Sequence, residues 1–361
     1  MSTNETHACR ESNIELLRIV IMAFIVLHHF LCHGLGTYHF DEDKCVLSPL
    51  ELNLSLSVES FFIIAVDVFV LISGYFSIRL KARSFVKLFM TCVFYLAFGC
   101  IVYYATADLV SGPWMIEYFL KRTFCVISGE QYWFIRIYFL LVLISGMLNK
   151  YVEAASKKHL LSTIGIFSFI SIYIGWMKDV WFVDNGYNII NFILLYFVGR
   201  YLRLYFNNKY SAKRYLSIYI VASTLTAILA VSLVYIYGGI HKHPMWAFHY
   251  NSPLVIISSI AFFLCFTKLQ FRSKWINYVA ASSLAIYLMQ EGVYGFYDHI
   301  GDMYQDTGFT TMFFLEIIVL FIISMTVPVV IDKLRGRIFS GLENKVTALA
   351  DKYIFSKFFD E

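Results

Sequence analysis

Apolar residues in this chain fall into blocks of about twenty, separated by short charged stretches. A block of ~20 residues is long enough for an α-helix to cross the hydrocarbon core of a bilayer. Because backbone hydrogen bonds at that depth must be closed within each segment, the sequence predicts an all-α, polytopic membrane protein. The composition agrees, since only 15% of the residues are charged, whereas about a quarter is usual in soluble proteins.

Ten membrane spans are predicted, and they form a single domain over residues 1–337. The predicted spans cover residues 14–33, 58–78, 85–107, 133–149, 159–177, 187–206, 215–237, 252–270, 278–297 and 312–332. Residues 338–361 are predicted to form an amphipathic helix on the cytoplasmic membrane surface. Its apolar side would carry Leu342, Val346, Leu349 and Ile354.

The basic residues predict the orientation of the chain. The tails, one set of alternate loops and the span ends next to them hold 22 of the 29 lysines and arginines, and the other loops hold five. By the positive-inside rule, both termini are predicted to be cytoplasmic, in a plasma or inner membrane. A net charge of +4 indicates no nucleic-acid partner, so the bilayer is the predicted environment.

The seven cysteines show no CxxC pair and no metal-ligand spacing, so no metal is predicted. Most are expected to be apolar packing residues. Cys45 and Cys125 fall in predicted outer loops, and a disulfide between them is left open.

The first span carries Glu15, Arg18, His28 and His29, and ionisable groups at membrane depth indicate a functional site. At ~100° per residue, Arg18 and His29 differ by only ~20° around the helix axis and lie ~16 Å apart along it. They therefore share one stripe, and His29 is the preferred candidate for a catalytic base. An ion pair between Glu15 and Arg18 and anchoring of the histidines at the outer interface remain alternatives. For His28, anchoring is favoured.

Two further spans add polar candidates. In the second span Asp67 lies at mid-membrane, and Ser73 and Tyr75 flank a glycine that allows close approach of a helix or a ligand. In the fourth span Trp133 is a candidate for the site, although a place in an aromatic belt is favoured for it. Arg136 is predicted at the depth of His29, where it pairs with Asp67 or binds a substrate group.

Several segments together resemble the integral-membrane acyltransferase family three, which includes polysaccharide O-acetyltransferases. The matching motifs are Asn13-Ile-Glu-Leu-Leu-Arg18 followed by His28-His29, Val66-Asp-Val-Phe-Val-Leu-Ile-Ser-Gly-Tyr75, Tyr132-Trp-Phe-Ile-Arg136, Ser283-Leu-Ala-Ile-Tyr-Leu288 and Ile331-Asp-Lys-Leu-Arg335. Family members often have histidine after the late Ile-Tyr-Leu, where this chain has Gln290. A glutamine is no base, so this position is at most a hydrogen-bonding group.

The resemblance implies transfer of an acetyl group from cytoplasmic acetyl-CoA to a hydroxyl of a cell-surface glycan or its lipid-linked precursor. It implies that Arg18 binds the donor and that His29 is the base. Arg136 or Tyr138 would stabilise the oxyanion. Substrate binding or structural support is expected from Glu15, His28, Asp67, Ser73, Tyr75, Trp133, Tyr138, Tyr287 and Gln290.

Two questions stay open at this stage. Transfer is either direct or passes through an acetyl-histidine. A glycan-lipid transporter is the main alternative function, and it predicts discontinuous helices around a large central cavity. The chain has only five prolines. Pro253 lies at the very start of a predicted span and Pro328 alone lies within the interior of one, which favours the enzyme. His29→Ala is predicted to abolish transfer, and His28→Ala to be milder.

Overall fold

The computed structural model describes residues 11–37, 47–106, 120, 121, 123, 126, 132–178, 180–237, 243–292 and 297–358. Regular structure in these residues is helical throughout, which confirms the predicted all-α class. The main helices are α1 (Ser12–His29), α2 (Pro49–Phe62), α3 (Ala65–Phe76), α4 (Ala82–Thr106), α5 (Trp133–Ala154), α6 (Lys157–Ser168), α7 (Ile189–Leu204), α8 (Ala212–Tyr237), α9 (His243–Ala247), α10 (Pro253–Thr267), α11 (Lys274–Ala280), α12 (Ser283–Gly292), α13 (Asp298–Thr307), α14 (Thr311–Ala350) and α15 (Ser356–Phe358). Cys45 and Cys125 lie outside the described residues.

Shorter segments of other helical types extend or link these helices. π-helical turns at Phe30–Gly34, Phe169–Met177 and Asp351–Phe355 continue α1, α6 and α14, and a 3₁₀ turn at Trp181–Gly186 precedes α7. Such π-helical turns are rare and occur frequently at functional sites. Apolar side chains from most of the helices form one continuous buried cluster between them.

Seven helical stretches in the described part of the chain are long and apolar enough to cross a membrane. They are Ser12–Gly34, Pro49–Phe76, Ala82–Val102, Trp133–Ala154, Lys157–Met177, Ala212–Ile236 and Thr311–Phe355. The other three predicted spans correspond to α7, α10 and the pair α11 and α12, which are shorter. The 16 residues of α7 reach only ~24 Å. Half of its residues are buried.

The second membrane-crossing stretch begins earlier than predicted from the sequence. The predicted start at residue 58 is wrong, because α2 begins at Pro49. The backbone N–H of Ser48 donates to Glu51 Oε2 (2.9 Å), and the Ser48 hydroxyl accepts from the Glu51 N–H. This reciprocal capping fixes the helix start. Two turn residues, Ile63 and Ile64, then separate α2 from α3.

Helices α3 and α7 cross at close range through two glycines. A methyl group at Gly74 would collide with the carbonyl oxygen of Tyr196, and one at Gly199 would collide with that of Leu71. Small residues at such crossings let the backbones approach. Gly74 therefore serves helix packing, one of the two roles expected for it, while its neighbour Ser73 faces elsewhere.

Helix α14 continues without interruption through residue 337 to Ala350, so the predicted tail begins inside this helix. The buried guanidinium of Arg335 donates to Asp332 at 2.9 Å and to Glu343. Asp332 also accepts from the Ser282 hydroxyl at 2.6 Å. This network connects the break between α11 and α12 to α14.

Candidate active site

A cavity of about 840 Å³ runs beside α1. Its lining includes Glu15 near the start of α1 and His33 just beyond its end. These residues are 18 positions apart, which corresponds to ~27 Å along a helix. Following the predicted orientation, we call the Glu15 end the inner end and the His33 end the outer end. The cavity therefore extends over most of the thickness of a bilayer.

Basic side chains line the inner end. Arg18 of α1 lies there with Arg79 and Lys81, which precede α4. No ion pair joins Arg18 to Glu15 in the structure as described, and both side chains line the cavity. The buried Nε atom of Arg18 has no hydrogen-bond partner among the described residues. The inner end is thus suited to an anionic or carbonyl-rich ligand.

His29 lies at the outer end, where two side chains contact its Nδ1 atom. Gln290 Oε1 lies 3.3 Å and the Tyr297 hydroxyl 3.1 Å from Nδ1. The Tyr297 hydroxyl also donates to Gln290 Oε1, at 3.5 Å. An amide oxygen only accepts, so this network assigns the proton of a neutral His29 to Nδ1. The Nε2 atom is then the basic one, as a general base requires.

His28 has a different set of partners. Its Nδ1 atom lies 2.5 Å from Glu59 Oε1, and its Nε2 atom lies 3.7 Å from the sulfur of Cys32. The Glu59 side chain is fully buried, and 11% of the His28 side chain is exposed. His28 is therefore not a simple interfacial anchor, the role the sequence favoured. It is a buried member of a polar chain beside the cavity.

Aromatic side chains form much of the remaining outer wall. Trp133 stacks on Tyr250 at 5.6 Å between ring centroids and lies 4.4 Å from Tyr187, and all three line the cavity. Tyr287 also lines it, with its ring 6.4 Å from that of His29. Rings in such a wall combine apolar faces with polar edges, which suits a sugar or a lipid-linked group.

Between the two ends, Ser73 and Tyr138 face the cavity from α3 and α5. Their hydroxyl oxygens are 3.3 Å apart, and Ser73 also donates to the Phe69 carbonyl oxygen at 2.9 Å. The structure thus places eight of the predicted site residues in one cavity lining. They are Glu15, Arg18, His28, His29, Ser73, Trp133, Tyr138 and Tyr287.

Four predicted site residues are absent from this lining. One is Gln290, which contacts His29, and the other three are Asp67, Tyr75 and Arg136. Asp67 is buried, and its Oδ2 atom accepts from the Ser259 hydroxyl at 3.5 Å. Among the described residues, no ion pair joins Asp67 to Arg136. Arg136 is not part of the lining, and the α5 residues that are, Trp133, Phe134, Ile135, Tyr138 and Val142, centre on the opposite side of the helix. Tyr75 receives a hydrogen bond from Arg203 at 3.2 Å, with the guanidinium 4.9 Å from its ring.

Several residues of the site were not singled out from the sequence. Glu59, Cys32 and Tyr297 contact the two histidines. From the sequence, Arg79 and Lys81 indicate only the orientation of the chain. A local signal existed for Glu59, because the Ser48–Glu51 capping pattern extends α2 and moves Glu59 from the end of a span to its interior. No local signal links Tyr297 to His29. In the described part of the chain, no group of His, Cys, Asp or Glu has metal-site geometry.

The fold and this cavity define a helical membrane protein with ionisable groups along an internal passage. A family model described as an acyltransferase domain matches residues 11–333. The chain therefore belongs to the acyltransferase family 3, as the sequence motifs suggested. Neither the curated proteins nor the solved structures include a significant match to it.

Proposed function

We propose that this acyltransferase moves an acetyl or other short acyl group from cytoplasmic acyl-CoA to a hydroxyl of a glycan or its lipid-linked precursor. The observation that carries the proposal is the cavity itself. It joins a basic inner end, with Arg18, to an outer end with His29. We place the protein in a plasma or inner membrane, with both termini cytoplasmic, on the charge distribution alone.

The inner end supports binding of the donor. CoA carries phosphate groups at one end of a long, narrow arm and the thioester at the other. Arg18, Arg79 and Lys81 supply charged hydrogen-bond donors suited to phosphates. With the nucleotide held at this mouth, the arm extends along α1 and brings the thioester toward the histidines. The acyl group thus travels through the protein rather than through lipid.

The outer end supports attack by the acceptor. His29 takes the proton of the acceptor hydroxyl on Nε2, while Gln290 and Tyr297 hold Nδ1. The oxygen then bonds to the acyl carbonyl carbon, the bond from that carbon to the donor sulfur breaks, and the departing sulfur takes the proton from His29. Tyr138 lines the cavity and stays our candidate for stabilising the oxyanion. Arg136 points away from the cavity, so we no longer assign it this role.

The aromatic wall supports a glycan acceptor. Trp133, Tyr187 and Tyr250 present ring surfaces at the outer end. The apolar C–H face of a pyranose packs on such rings while its hydroxyls meet polar edges. Trp133 is therefore assigned to acceptor binding.

The test is acyl transfer in proteoliposomes supplied with radiolabelled acetyl-CoA or succinyl-CoA and a membrane glycan extract. We expect label in the glycan fraction with wild type and at least a hundredfold less with His29→Ala. Arg18→Ala should lower transfer at limiting donor and recover partly at high donor. Matched controls are His159→Ala and Arg272→Ala, whose side chains are exposed away from the cavity. Equal transfer by His29→Ala and wild type would refute the proposal.

A glycan-lipid transporter remains the second candidate, because two of its expected features are present. The helices are interrupted at Ile63–Ile64 and at Ala281–Ser282, and the central cavity is large. A fluorescent lipid-linked saccharide placed in the same proteoliposomes separates the two functions. Movement of this lipid across the membrane without any acyl donor, together with no acyl transfer, would favour transport.

A further inference from the structure

Cys32, His28 and Glu59 form a continuous polar chain at the outer end of the cavity. The Cys32 sulfur lies 3.7 Å from His28 Nε2, and His28 Nδ1 lies 2.5 Å from Glu59 Oε1. Cys32 and His28 line the cavity, and Glu59 is fully buried behind them. This is the arrangement of a nucleophile, a base and a residue that orients the base, as in enzymes with covalent acyl intermediates.

We infer that Cys32 carries the acyl group as a thioester between two half-reactions. This inference rests on the proposed acyl-CoA-dependent transfer, and it replaces the direct transfer or acetyl-histidine left open by the sequence. Cys32 accepts the acyl group with the help of His28 and Glu59. His29, with Gln290 and Tyr297, then activates the acceptor hydroxyl.

The separate partners of the two adjacent histidines support this division of labour. The His28 imidazole contacts the thiol and a carboxylate, whereas the His29 imidazole contacts the amide of Gln290. The two imidazole rings are 5.3 Å apart, so one acyl group at Cys32 lies within reach of both. Cys32 also lies in the π-helical turn that continues α1, a type of turn that is frequent at functional sites.

Gln290 provides an independent indication that a ligand group belongs here. Its side chain is 4% exposed, and its Nε2 atom has no hydrogen-bond partner among the described residues. An unpaired buried amide donor costs ~1–3 kcal/mol. The carbonyl oxygen of an acyl group next to His29 would accept from it. The site thus offers a nucleophile for the acyl carbon and a donor for its oxygen.

The chemistry of the first half-reaction balances without further reactants. His28 takes the thiol proton of Cys32, and the sulfur bonds to the acyl carbon of acyl-CoA. The carbon–sulfur bond to CoA breaks, and the departing CoA sulfur takes the proton from His28. One thioester replaces another, so little free energy is lost.

The second half-reaction regenerates the thiol. His29 takes the proton of the acceptor hydroxyl, whose oxygen bonds to the acyl carbon. The carbon–sulfur bond to Cys32 then breaks. The proton held by His29 returns to the Cys32 sulfur, leaving an ester on the acceptor and the chain in its starting state.

The first test traps the intermediate. Purified protein in proteoliposomes receives radiolabelled acetyl-CoA or succinyl-CoA without acceptor, and is then denatured and treated with neutral hydroxylamine. We expect up to one label per wild-type chain and none on the Cys32→Ala chain. Hydroxylamine should release the label from wild type, because it cleaves thioesters. His28→Ala should acquire label at least tenfold more slowly. His29→Ala should keep its label when acceptor is added, whereas wild type discharges it.

The control is Cys265→Ala, which removes a half-buried cysteine of α10 away from the cavity and should label like wild type. Glycan acylation by Cys32→Ala at the wild-type rate would overturn the inference while leaving the proposed function intact. Absence of label on the chain during active transfer would do the same. If wild type transfers nothing from either donor, the proposed function fails, and this inference fails with it.

A second test does not depend on the donor. The rate at which iodoacetamide alkylates Cys32 is measured by mass spectrometry of the Cys32 peptide. This rate reports activation of the thiol, because alkylation needs the thiolate. His28→Ala should slow alkylation of Cys32 about tenfold or more, since charged hydrogen bonds contribute ~1.5–3 kcal/mol. Glu59→Gln should also slow the alkylation. His29→Ala should leave the rate within twofold of wild type. Equal rates in the His28→Ala and wild-type proteins would contradict activation of Cys32 by His28.

Discussion

Gln290 and His29 are 261 positions apart in the chain, yet Gln290 Oε1 lies 3.3 Å from Nδ1 of His29. The residue that departs from the family's usual histidine therefore contacts the candidate base directly. An amide oxygen at this point keeps the His29 proton on Nδ1 and leaves Nε2 basic. The role of the side chain at position 290 is to hydrogen-bond His29, and glutamine can do this although it is not a base.

We therefore expect Gln290→Leu to lower kcat about ten- to a hundredfold, because loss of an orienting hydrogen bond at a charged group costs ~1.5–3 kcal/mol. Gln290→His should retain most of the activity, since imidazole can also accept from Nδ1–H. Initial rates of acyl transfer in proteoliposomes measure both. A Gln290→Leu protein with the wild-type rate would show that the contact has no catalytic role.

The buried contact between His28 and Glu59 should contribute to stability as well as to chemistry. His28→Ala leaves the Glu59 carboxyl buried without this partner, a change that costs about 1–3 kcal/mol. We therefore expect a lower Tm and reduced transfer for His28→Ala, in contrast to the mild effect predicted from the sequence. The Tm is measured by heating the detergent-solubilised protein and quantifying the fraction that remains folded by size-exclusion chromatography.

A double-mutant cycle isolates this contact from general damage. His28→Ala, Glu59→Gln and the double variant are compared with wild type, and a coupling of at least ~1 kcal/mol is expected for groups in contact. Combining Glu59→Gln with His159→Ala should give additive effects, because His159 is exposed on α6. Additivity of the His28 and Glu59 variants would argue against a direct interaction.

The crossing of α3 and α7 predicts a strong effect of a single methyl group. Gly74→Ala places a Cβ against the backbone of Tyr196, and the strain of such overpacking is typically ~1–3 kcal/mol. Gly146→Ala is the matched control, because a Cβ there meets nothing within 4 Å and alanine is favoured in helices. We expect a clearly lower Tm for Gly74→Ala and an unchanged or higher Tm for Gly146→Ala. Equal Tm values would refute close packing at this crossing.

The inner mouth should determine the affinity for the donor rather than the rate of chemistry. Arg79→Ala and Lys81→Ala are each expected to raise KM for acyl-CoA about tenfold with little change in kcat. A charged hydrogen bond to a phosphate contributes ~1.5 kcal/mol, and its loss from ground state and transition state alike changes KM alone. Because salt screens exposed charges, KM of the wild type should also rise with ionic strength. Lys158→Ala, exposed on α6, is the control, and a fall in kcat alone would contradict this assignment.

The helical periodicity of the first span was enough to place part of the site. Arg18 and His29 lie on one stripe of α1, and the structure places both in the cavity lining. Arg136 shows the limit of this reasoning. Its depth suggested a role beside His29, but Phe134 and Tyr138, four residues apart on one side of α5, line the cavity instead. Depth follows from position in a span, whereas direction depends on how the helix is rotated against its neighbours.

Glu59 shows a different kind of error. A span that starts at residue 58 puts Glu59 at its end, where an acidic side chain needs no explanation. The capping of α2 by Ser48 and Glu51 moves the helix start to Pro49 and places Glu59 within a buried stretch. The local signal was present in the sequence, but its consequence depended on the partner, His28, thirty-one residues away.

The sequence by itself determined the helical class, the membrane environment, the family and the stripe of Arg18 and His29. These follow from local properties, namely the length of apolar runs, the distribution of charge and the period of a helix. Only the tertiary structure decided that His28 contacts Glu59 and Cys32, that His29 contacts Gln290 and Tyr297, and that Arg136 faces away. Such contacts join segments as many as 268 residues apart, and they depend on how each helix is rotated and packed, which no local pattern specifies.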